Sequence, residues 1–346
     1  MAKRTKTLVG LDIDATGIVA ASVAVNGRLR IEHAAVMALE PGIIRDGEVA
    51  DVDGLAEALR ALYRANKGLD KRVRVGLANQ KIVVRIIELP YLENEKELEA
   101  AVHFQAQDQL PMPLEQAVLA HQKLDVITDG TLRRQRILLV AARREMVERV
   151  LAAVRSAGLK PAGIDLSAFA MVRALHHGGA EDENVLYLAI GGLTNLAVAR
   201  GTDCIFARVS GGGVESLAIE LAERNTLTLA HAHGWLTHVG LLTPIEAIDG
   251  DPEIVENTRQ ILLDGVRRIA SEVRSSLDFH RMQDDTATVS RAVMTGAASA
   301  IPGFATALAA ELGMPVEEGT VPGAPDGVDA GRLTVAAGLA VEEALA

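Results

Sequence analysis

Two stretches of this chain repeat one order of strands and turns. Residues 7–37 read as three apolar strands, with a short polar turn, Asp14–Gly17, after the first and an Asn26–Gly27 turn after the second. Residues 185–209 repeat that order, with the short turn at Gly191–Thr194. A short turn of small residues after a strand lets backbone N–H groups approach a phosphate closely. The chain is therefore predicted to form two lobes built on one plan, each presenting such a turn to a shared cleft.

The composition indicates two domains in a reducing compartment. The 346 residues, 49% of them hydrophobic, are enough for two domains that each bury a core. The formal charge of −11 excludes general attraction to nucleic acid or to an anionic membrane. The single cysteine, Cys204, excludes an internal disulfide. Neither an export signal nor a membrane-spanning run of about 18 apolar residues is expected, so a cytoplasmic protein without direct membrane insertion is predicted.

Between the two repeats, the residue pattern predicts a small inserted unit. A helix capped by Asp53 and ending near Asn66, and a strand at Arg72–Ala78, belong to the first lobe. Then follow a strand at Ile82–Leu89, a helix at Glu95–Leu110, strands at Ala117–Asp125 and Arg136–Ala142, and a helix over Met146–Val154 closed by Gly158. Segment 82–158 is thus predicted to be a β-α-β-β-α unit.

The remaining pattern completes a mixed α/β chain. Helices are predicted at Ala162–His177, after Gly213, from Pro252 to about His280, from Pro302 to Gly313 and at Leu333–Leu345, with a strand at Thr288–Met294. The predicted first lobe comprises residues 1–80, 159–180 and 332–346, the inserted unit 81–158, and the second lobe 181–331.

Three turns are predicted to converge on the cleft. They are Asp12–Gly17, Ala189–Thr194 and Thr295–Ser299, and the glycine-rich Gly211–Gly213 turn adds the N-terminus of a helix. The alternative is that each turn uses glycine only for its backbone conformation. Two turns in duplicated settings favour a shared site.

Several motifs resemble one family. The start, VGLDIDATGIVAASV, is similar to the first phosphate motif of the actin-like ATPase superfamily. The passage IIELPYLENEKELEAAVHFQAQDQLPMPLEQAVL resembles the inserted subdomain of the PilM family, cytoplasmic actin-like proteins of type IV pilus assembly. Further similar segments are GIDLSAFAMVRAL, RRIASEVRSSLDF, TGAASAIPGFATALAAELGMPVE and GLAVEEAL. The resemblance covers nearly the whole chain.

The resemblance implies a two-lobed actin-like fold, a duplicated ribonuclease H-like architecture with an insert on lobe one. It implies a cleft for ATP or ADP with Mg²⁺. It also implies that the N-terminal cytoplasmic tail of the membrane protein PilN docks beside the insert, which would hold the chain at the inner membrane through a partner. Contacts with pilus motor ATPases and a homo-oligomer paired through edge strands of the insert are further expectations.

The chain departs from the superfamily pattern at the cleft. Asp14 replaces a glycine, Val19 a lysine-like residue, Ala189 an aspartate and Ala297 a glycine. A carboxylate about 4 Å from a phosphate charge costs roughly 4 kcal/mol at an effective dielectric of 20. Alanine cannot position a metal-bound water, so hydrolysis is expected to be weak or absent and no catalytic residue is assigned. The remaining expected nucleotide contacts are Asp12, which would also hold Mg²⁺, and Ala15, Thr16, Gly191, Gly192, Thr194, Gly213, Gly296 and Ala297.

Three functions remain open at this point. The favoured one is an adaptor that binds PilN and has a degenerate nucleotide cleft. The alternatives are an active actin-like ATPase, including one like the division protein FtsA, and a small-molecule kinase. No amphipathic tail of the FtsA kind and no phosphoryl-transfer base is recognisable. His231, His233 and His238 raise the further possibility of a metal site, but no ligand set is evident around them.

Overall fold

The computed structural model describes residues 8–25, 29–130, 132–176, 183–283 and 288–341, and most of its strands lie in two five-stranded sheets. The strands are β1 (Val9–Asp14), β2 (Gly17–Val25), β3 (Leu29–Met37), β4 (Ile44–Arg45), β5 (Glu48–Val49), β6 (Arg72–Leu77), β7 (Val83–Pro90), β8 (Ala117–Asp129), β9 (Leu132–Arg143), β10 (Lys160–Leu166), β11 (Asn184–Ile190), β12 (Thr194–Arg200), β13 (Asp203–Ser210), β14 (Val289–Thr295) and β15 (Val316–Glu318). The helices are α1 (Val52–Ala65), α2 (Glu95–Gln109), α3 (Arg144–Ser156), α4 (Ser167–Leu175), α5 (Val214–Asn225), α6 (Leu229–Val239), α7 (Pro252–Gln283), α8 (Phe304–Leu312) and α9 (Ala330–Leu339).

The two large sheets share one topology. In the sheet of lobe one, ordered β10-β6-β1-β2-β3, strands β1 to β3 form an antiparallel meander and β6 runs parallel to β1. In the sheet of lobe two, ordered β13-β12-β11-β14-β15, β11 to β13 form the meander and β14 runs parallel to β11. The duplication predicted from the sequence therefore extends beyond the turns to the parallel strand beside each meander.

Helices α4 and α9 fill the space between the sheets. Their apolar residues form one buried cluster with residues of β2 and β3 from lobe one and of β11 and β12 from lobe two. Glycines allow the close approach, because a methyl group on Gly10 would lie 1.9 Å from the Ala336 carbonyl oxygen, and one on Gly338 would lie 1.8 Å from that of Ala170. The lobes are thus joined through a common core that lies behind the two short turns.

The inserted unit has a sheet and a core of its own. Strand β9 pairs with β7 and β8, both antiparallel, and α2 covers this sheet with Leu98, Val102 and Ala106. Helix α3 packs instead with α1, in the same cluster as Val9 and Leu11 of β1. The residue boundaries assigned to the domains stay a prediction.

The prediction of a helix at Ala162–His177 is wrong for the first part of that segment. Residues Lys160–Leu166 form strand β10, which pairs parallel with β6, and α4 begins only at Ser167. Pro161 and Gly163 disfavour a helix, and the edge of β6 supplies backbone hydrogen bonds that a helix would forgo. His177, the last residue of the predicted helix, lies outside the described residues.

Other differences concern element ends and short elements. Asp51, not Asp53, caps α1, accepting a hydrogen bond from the Gly54 N–H. Helix α9 begins before the predicted Leu333, because Asp329 caps it through the Gly331 N–H. Helix α6 and the three-residue β15 were not predicted. The predicted Asn26–Gly27 turn and residues 342–345 of the last helix lie outside the described residues.

In the described part of the chain, no helix is both long and apolar enough to cross a bilayer.

Candidate functional site

The two duplicated turns face each other across the cleft. The first turn joins β1 to β2, and Gly17 holds a φ of 147° there, where a methyl group would lie 2.3 Å from the Met37 carbonyl oxygen. The second turn joins β11 to β12 through Gly191 and Gly192. A methyl group on Gly191 would lie 2.6 Å from Asp14 Oδ2. The small residues of the second turn thus permit close approach, and the group that approaches is a side chain of the first turn.

The Asp14 carboxylate accepts hydrogen bonds from both turns. Asp14 Oδ1 accepts from the Thr16 N–H at 2.8 Å and from the Thr16 hydroxyl. Asp14 Oδ2 accepts from the Gly192 N–H of the opposite lobe at 2.8 Å. This last bond is called the interlobe clasp below. Backbone N–H groups that the sequence predicted for a phosphate therefore already bond to an anion of the chain itself.

Asp12 lies beside the clasp, with part of its side chain facing the cleft. The buried Ser167 hydroxyl donates to Asp12 Oδ1 at 3.2 Å. Burial, together with the Asp14 carboxylate, raises the pKa of Asp12 to about 7, against the opposing effects of Ser167 and of the Arg332 guanidinium. Because a metal ligand must be deprotonated, the raised pKa weakens Asp12 as a ligand for Mg²⁺.

The N-terminus of α5 bonds to the second turn. The Val214 N–H donates to the Gly191 carbonyl at 2.8 Å, and the buried Thr194 hydroxyl donates to the Gly212 carbonyl. A methyl group on Gly213 would lie 2.4 Å from the Gly191 carbonyl oxygen. Thr194 and Gly213 therefore hold α5 against the turn, and their role as nucleotide contacts stays a prediction.

The third turn bonds to α9. Gly296, at a φ of 92°, donates its N–H to the Gly331 carbonyl at 3.2 Å, and the Thr295 hydroxyl bonds to the same carbonyl at 3.0 Å. The Ala297 side chain packs on the core of lobe two. Ser299 Oγ, which lies against Gly331, is buried without a hydrogen-bond partner among the described residues. This turn is thus built into the core between the lobes.

Two cavities adjoin the Asp14 carboxylate. The larger, about 640 Å³, lies between the Pro41–Gly47 loop of lobe one and the start of α5 in lobe two. Its charged lining residues are Asp12, Asp14, Asp46, Glu215 and Arg45. The smaller, about 40 Å³, borders Gly296, Ala297 and Arg332 and has room for only a few water molecules.

These cavities divide the predicted contacts. Asp12, Ala15 and Gly192 line the larger cavity. Asp12, Thr16, Gly191, Gly296 and Ala297 line the smaller one, and Thr194 and Gly213 line neither of the two. The residues that line these cavities do not fit a nucleoside triphosphate in this conformation. The space beside the third turn is too small for a nucleoside, and carboxylates predominate in the larger cavity.

The three histidines do not converge. His233 Nε2 lies 2.8 Å from Glu215 Oε2, whereas His238 Nε2 lies 2.8 Å from the Asp249 carbonyl oxygen. In the described ranges no group of three or more His, Cys, Asp or Glu side chains is arranged to hold a metal ion. Sequence reasoning missed the Glu215 partner, since it is 18 residues from His233 along the chain.

The family of this chain follows from a match over most of its length. The model of the type IV pilus assembly protein PilM family matches residues 10–318. The chain belongs to the PilM family. Its structure is also similar to a chain of a solved PilM-PilN type IV pilus biogenesis complex, with 26% sequence identity, a TM-score of 0.80, and coverage of 97% of this chain and 98% of that chain.

More distant structures share the fold of this PilM-family chain. The ethanolamine utilization protein EutJ from Carboxydothermus hydrogenoformans is 17% identical, with a TM-score of 0.56 over 96% of this chain and 88% of that one. MreB5 of Spiroplasma citri, solved bound to ADP, is 12% identical, with a TM-score of 0.52 over 96% and 95%. The predicted α/β fold, two-lobed and actin-like, is therefore confirmed.

Three residues of the cleft escaped the sequence analysis of this PilM-family chain. Ser167 bonds to Asp12, the Arg332 guanidinium lies 3.5 Å from the Thr16 carbonyl oxygen, and Asn195 lines both cavities. Asn195 Oδ1 is buried and lacks a hydrogen-bond partner within the described residues. Ser167 and Asn195 lie within predicted, mostly apolar elements, where a polar residue was the available signal. Arg332 directly precedes the predicted last helix and carried no such signal.

Proposed function

We propose that this PilM-family protein is a cytoplasmic adaptor of type IV pilus assembly. It binds the N-terminal cytoplasmic tail of PilN and so lies beside the inner membrane without inserting into it. Its cleft has lost the capacity to bind ATP strongly. The observation that carries the proposal is the Asp14 carboxylate, which accepts hydrogen bonds from the N–H groups of Thr16 and Gly192, two of the residues expected to contact a phosphate.

PilN as the partner is supported by the similarity to a chain of the PilM-PilN complex over nearly the whole of both chains. The structure also offers a recess for a tail beside the inserted unit. This recess, about 220 Å³, lies where β8, α4 and the β12–β13 turn meet, and its lining includes Gln122, Phe169 and Cys204. A short extended peptide passing over this recess would contact the insert and both lobes at once.

Loss of nucleotide binding and of hydrolysis is supported by three features of the cleft. The Asp14 carboxylate would repel phosphate, Ala189 cannot position a metal-bound water, and the pKa of Asp12 is raised to about 7. Two further acids, Asp46 and Glu215, line the larger cavity together with Arg45. These charges favour an adaptor over an active ATPase.

The second candidate is an actin-like ATPase, and the size of the larger cavity favours it. A cavity of about 640 Å³ is within the range of small-molecule sites, roughly 300–1,000 Å³. In this alternative the Asp14 side chain turns away. Thr16, Gly191 and Gly192 would then hold the phosphates and Asp12 the Mg²⁺, and the third turn would have to move to admit the adenosine beside Gly296 and Ala297.

A pair of titrations separates these functions. Calorimetry with a synthetic peptide of the N-terminal PilN tail is expected to give one-to-one binding to the wild-type protein in buffer without nucleotide. A scrambled peptide of the same composition is the control. Absence of binding to the native peptide contradicts the adaptor function, and binding that requires Mg-ATP favours the ATPase.

A further inference from the structure

One anionic side chain spans the cleft of this protein. In both repeats the turn offers backbone N–H groups, but the first turn also contributes Asp14, whose two carboxylate oxygens bond to different lobes. Hydrogen bonds to an ionised acceptor are roughly twice as strong as those between neutral groups. The carboxylate therefore does more than repel a phosphate, because it satisfies the donors that a phosphate would use.

We infer that Asp14 is a built-in substitute for a bound phosphate and holds the two lobes closed without nucleotide. The inference rests on the proposed function in one respect, since it supposes a cleft that works without ATP. It goes beyond that function by assigning the closed state of the lobes to one side chain. A nucleotide-driven opening and closing of the lobes is then replaced by a permanent clasp.

The chemistry of a tethered anion supports this role. Asp14 is two residues from Thr16 in the same turn, so its carboxylate is tethered beside that donor. A group linked through a short chain acts at an effective concentration in the millimolar range or above. An external phosphate has to displace the carboxylate and also to approach Asp12 and Asp46 in the same cavity. Competition therefore favours the internal anion.

Neighbouring contacts are arranged to close around the clasp. Leu193 of the second turn reaches lobe one so closely that a methyl group on Gly47 would lie 2.9 Å from Leu193 Cδ1. Likewise, a methyl group on Gly211 of lobe two would lie 2.5 Å from Gln80 Nε2 of lobe one. These contacts join the two lobes, and Asp14 adds a charge-assisted hydrogen bond between the same lobes.

Closure by Asp14 has a consequence for partner binding. The recess beside β8 is lined from lobe one by Phe169 and Arg173 and from lobe two by Thr202 and Cys204. A change in the angle between the lobes would alter its width. By holding the lobes together, the clasp presents this surface in one geometry whether or not ATP is available.

Residue-resolved amide hydrogen exchange on the full-length protein, without peptide or nucleotide, tests the inference. In Asp14→Ala the Gly192 N–H is expected to exchange about tenfold faster or more, as for loss of one bond to a charged acceptor. Asp14→Asn, which keeps the size of the side chain, is expected to show the same direction of change. It keeps the test available should Asp14→Ala not fold.

Asp46→Asn is the matched control. It removes one negative charge from the same cavity, and no hydrogen bond joins the Asp46 side chain to the second turn among the described residues. Exchange at Gly192 is expected to stay at the wild-type rate in this variant. Unchanged exchange in both Asp14 variants, or equal acceleration in Asp46→Asn, would overturn the inference.

The outcome is independent of the adaptor function. Peptide titration of the wild type decides whether PilN is the partner, whereas exchange at Gly192 in the peptide-free protein decides whether Asp14 closes the cleft. A protein that binds the peptide but keeps its exchange rates in the Asp14 variants retains the adaptor function and loses the clasp. One that shows the faster exchange but no peptide binding keeps the clasp and loses the adaptor function.

Discussion

The two duplicated turns have the same backbone plan and opposite chemistry. The second turn keeps Gly191 and Gly192 and offers an N–H group to the cleft, whereas the first turn extends the Asp14 carboxylate to that N–H group. Each turn lies after the first strand of its meander, between matching sheets. The difference shows that one turn of a duplicated pair can supply the hydrogen-bond acceptor for an N–H group of the other turn.

Removing the anion from the first turn makes the two turns alike again and has the largest expected effect. Asp14→Gly is expected to tighten binding of Mg-ATP at least about tenfold, because a repulsion of up to roughly 4 kcal/mol and a competitor for the Gly192 N–H both disappear. Calorimetric titration measures the change. Asp46→Asn, which lowers the charge of the cavity equally, is the control, and an equal gain in that variant would show that charge alone matters.

Adding a methyl group to the second turn tests whether its glycine serves Asp14. Gly191→Ala places that group 2.6 Å from Asp14 Oδ2 and is expected to lower the free energy of unfolding by about 1–2 kcal/mol. In an Asp14→Gly background the same substitution should cost much less, and denaturant unfolding of the four proteins completes the cycle. An equal loss of unfolding free energy in the two backgrounds would show that position 191 does not interact with Asp14.

Gly234→Ala is the control for that cycle. Nothing lies within 4 Å of the methyl group it would add, and Gly234 is inside helix α6. Alanine favours a helix by up to about 1 kcal/mol over glycine, so this variant is expected to be as stable as the wild type or slightly more stable.

The pH dependence of stability tests the raised pKa of Asp12, which lies beside the interlobe clasp. Because the pKa of Asp12 is raised from 3.8 to about 7 in the folded protein, the folded state binds a proton that the unfolded state has released between these values. Its contribution to stability is therefore present at low pH and is lost as pH rises through about 7. From pH 5 to pH 7.5, the free energy of unfolding of Asp12→Asn should rise by at least about 1 kcal/mol relative to that of the wild type. A difference that does not vary with pH would contradict the raised pKa.

The smallest effect is expected at the cation beside the first turn. Arg332 lies 3.5 Å from the Thr16 carbonyl oxygen and lowers the pKa of Asp12. Arg332→Gln is expected to cost less than about 1 kcal/mol of stability and to raise the pKa of Asp12 further. An NMR titration of the Asp12 carboxyl gives the direction, and a lower pKa would be the opposite of the expected shift.

The sequence could predict those parts of the molecule that depend on local pattern. Alternating apolar residues and short polar turns revealed both meanders, and Pro111 and Gly158 marked the ends of helices in the insert. The strand at Lys160–Leu166 was missed because its pairing with β6 lies nearly 90 residues away in the chain, so nearby residues do not show it.

The candidate site could be predicted only up to the individual turns. The replacement of glycine by Asp14 was visible, and so was its charge. Its bond to Gly192, 178 residues further along, depends on how the lobes meet. The raised pKa of Asp12 has the same origin, since the burial that raises it exists only in the folded chain.

A crystal structure of the wild-type protein grown with millimolar Mg-ATP tests the clasp most directly. The electron density is expected to show Asp14 Oδ2 within hydrogen-bond distance of the Gly192 N–H, and no triphosphate between the two turns. Density for a triphosphate on the Thr16 and Gly192 N–H groups, with the Asp14 side chain rotated away, would contradict it.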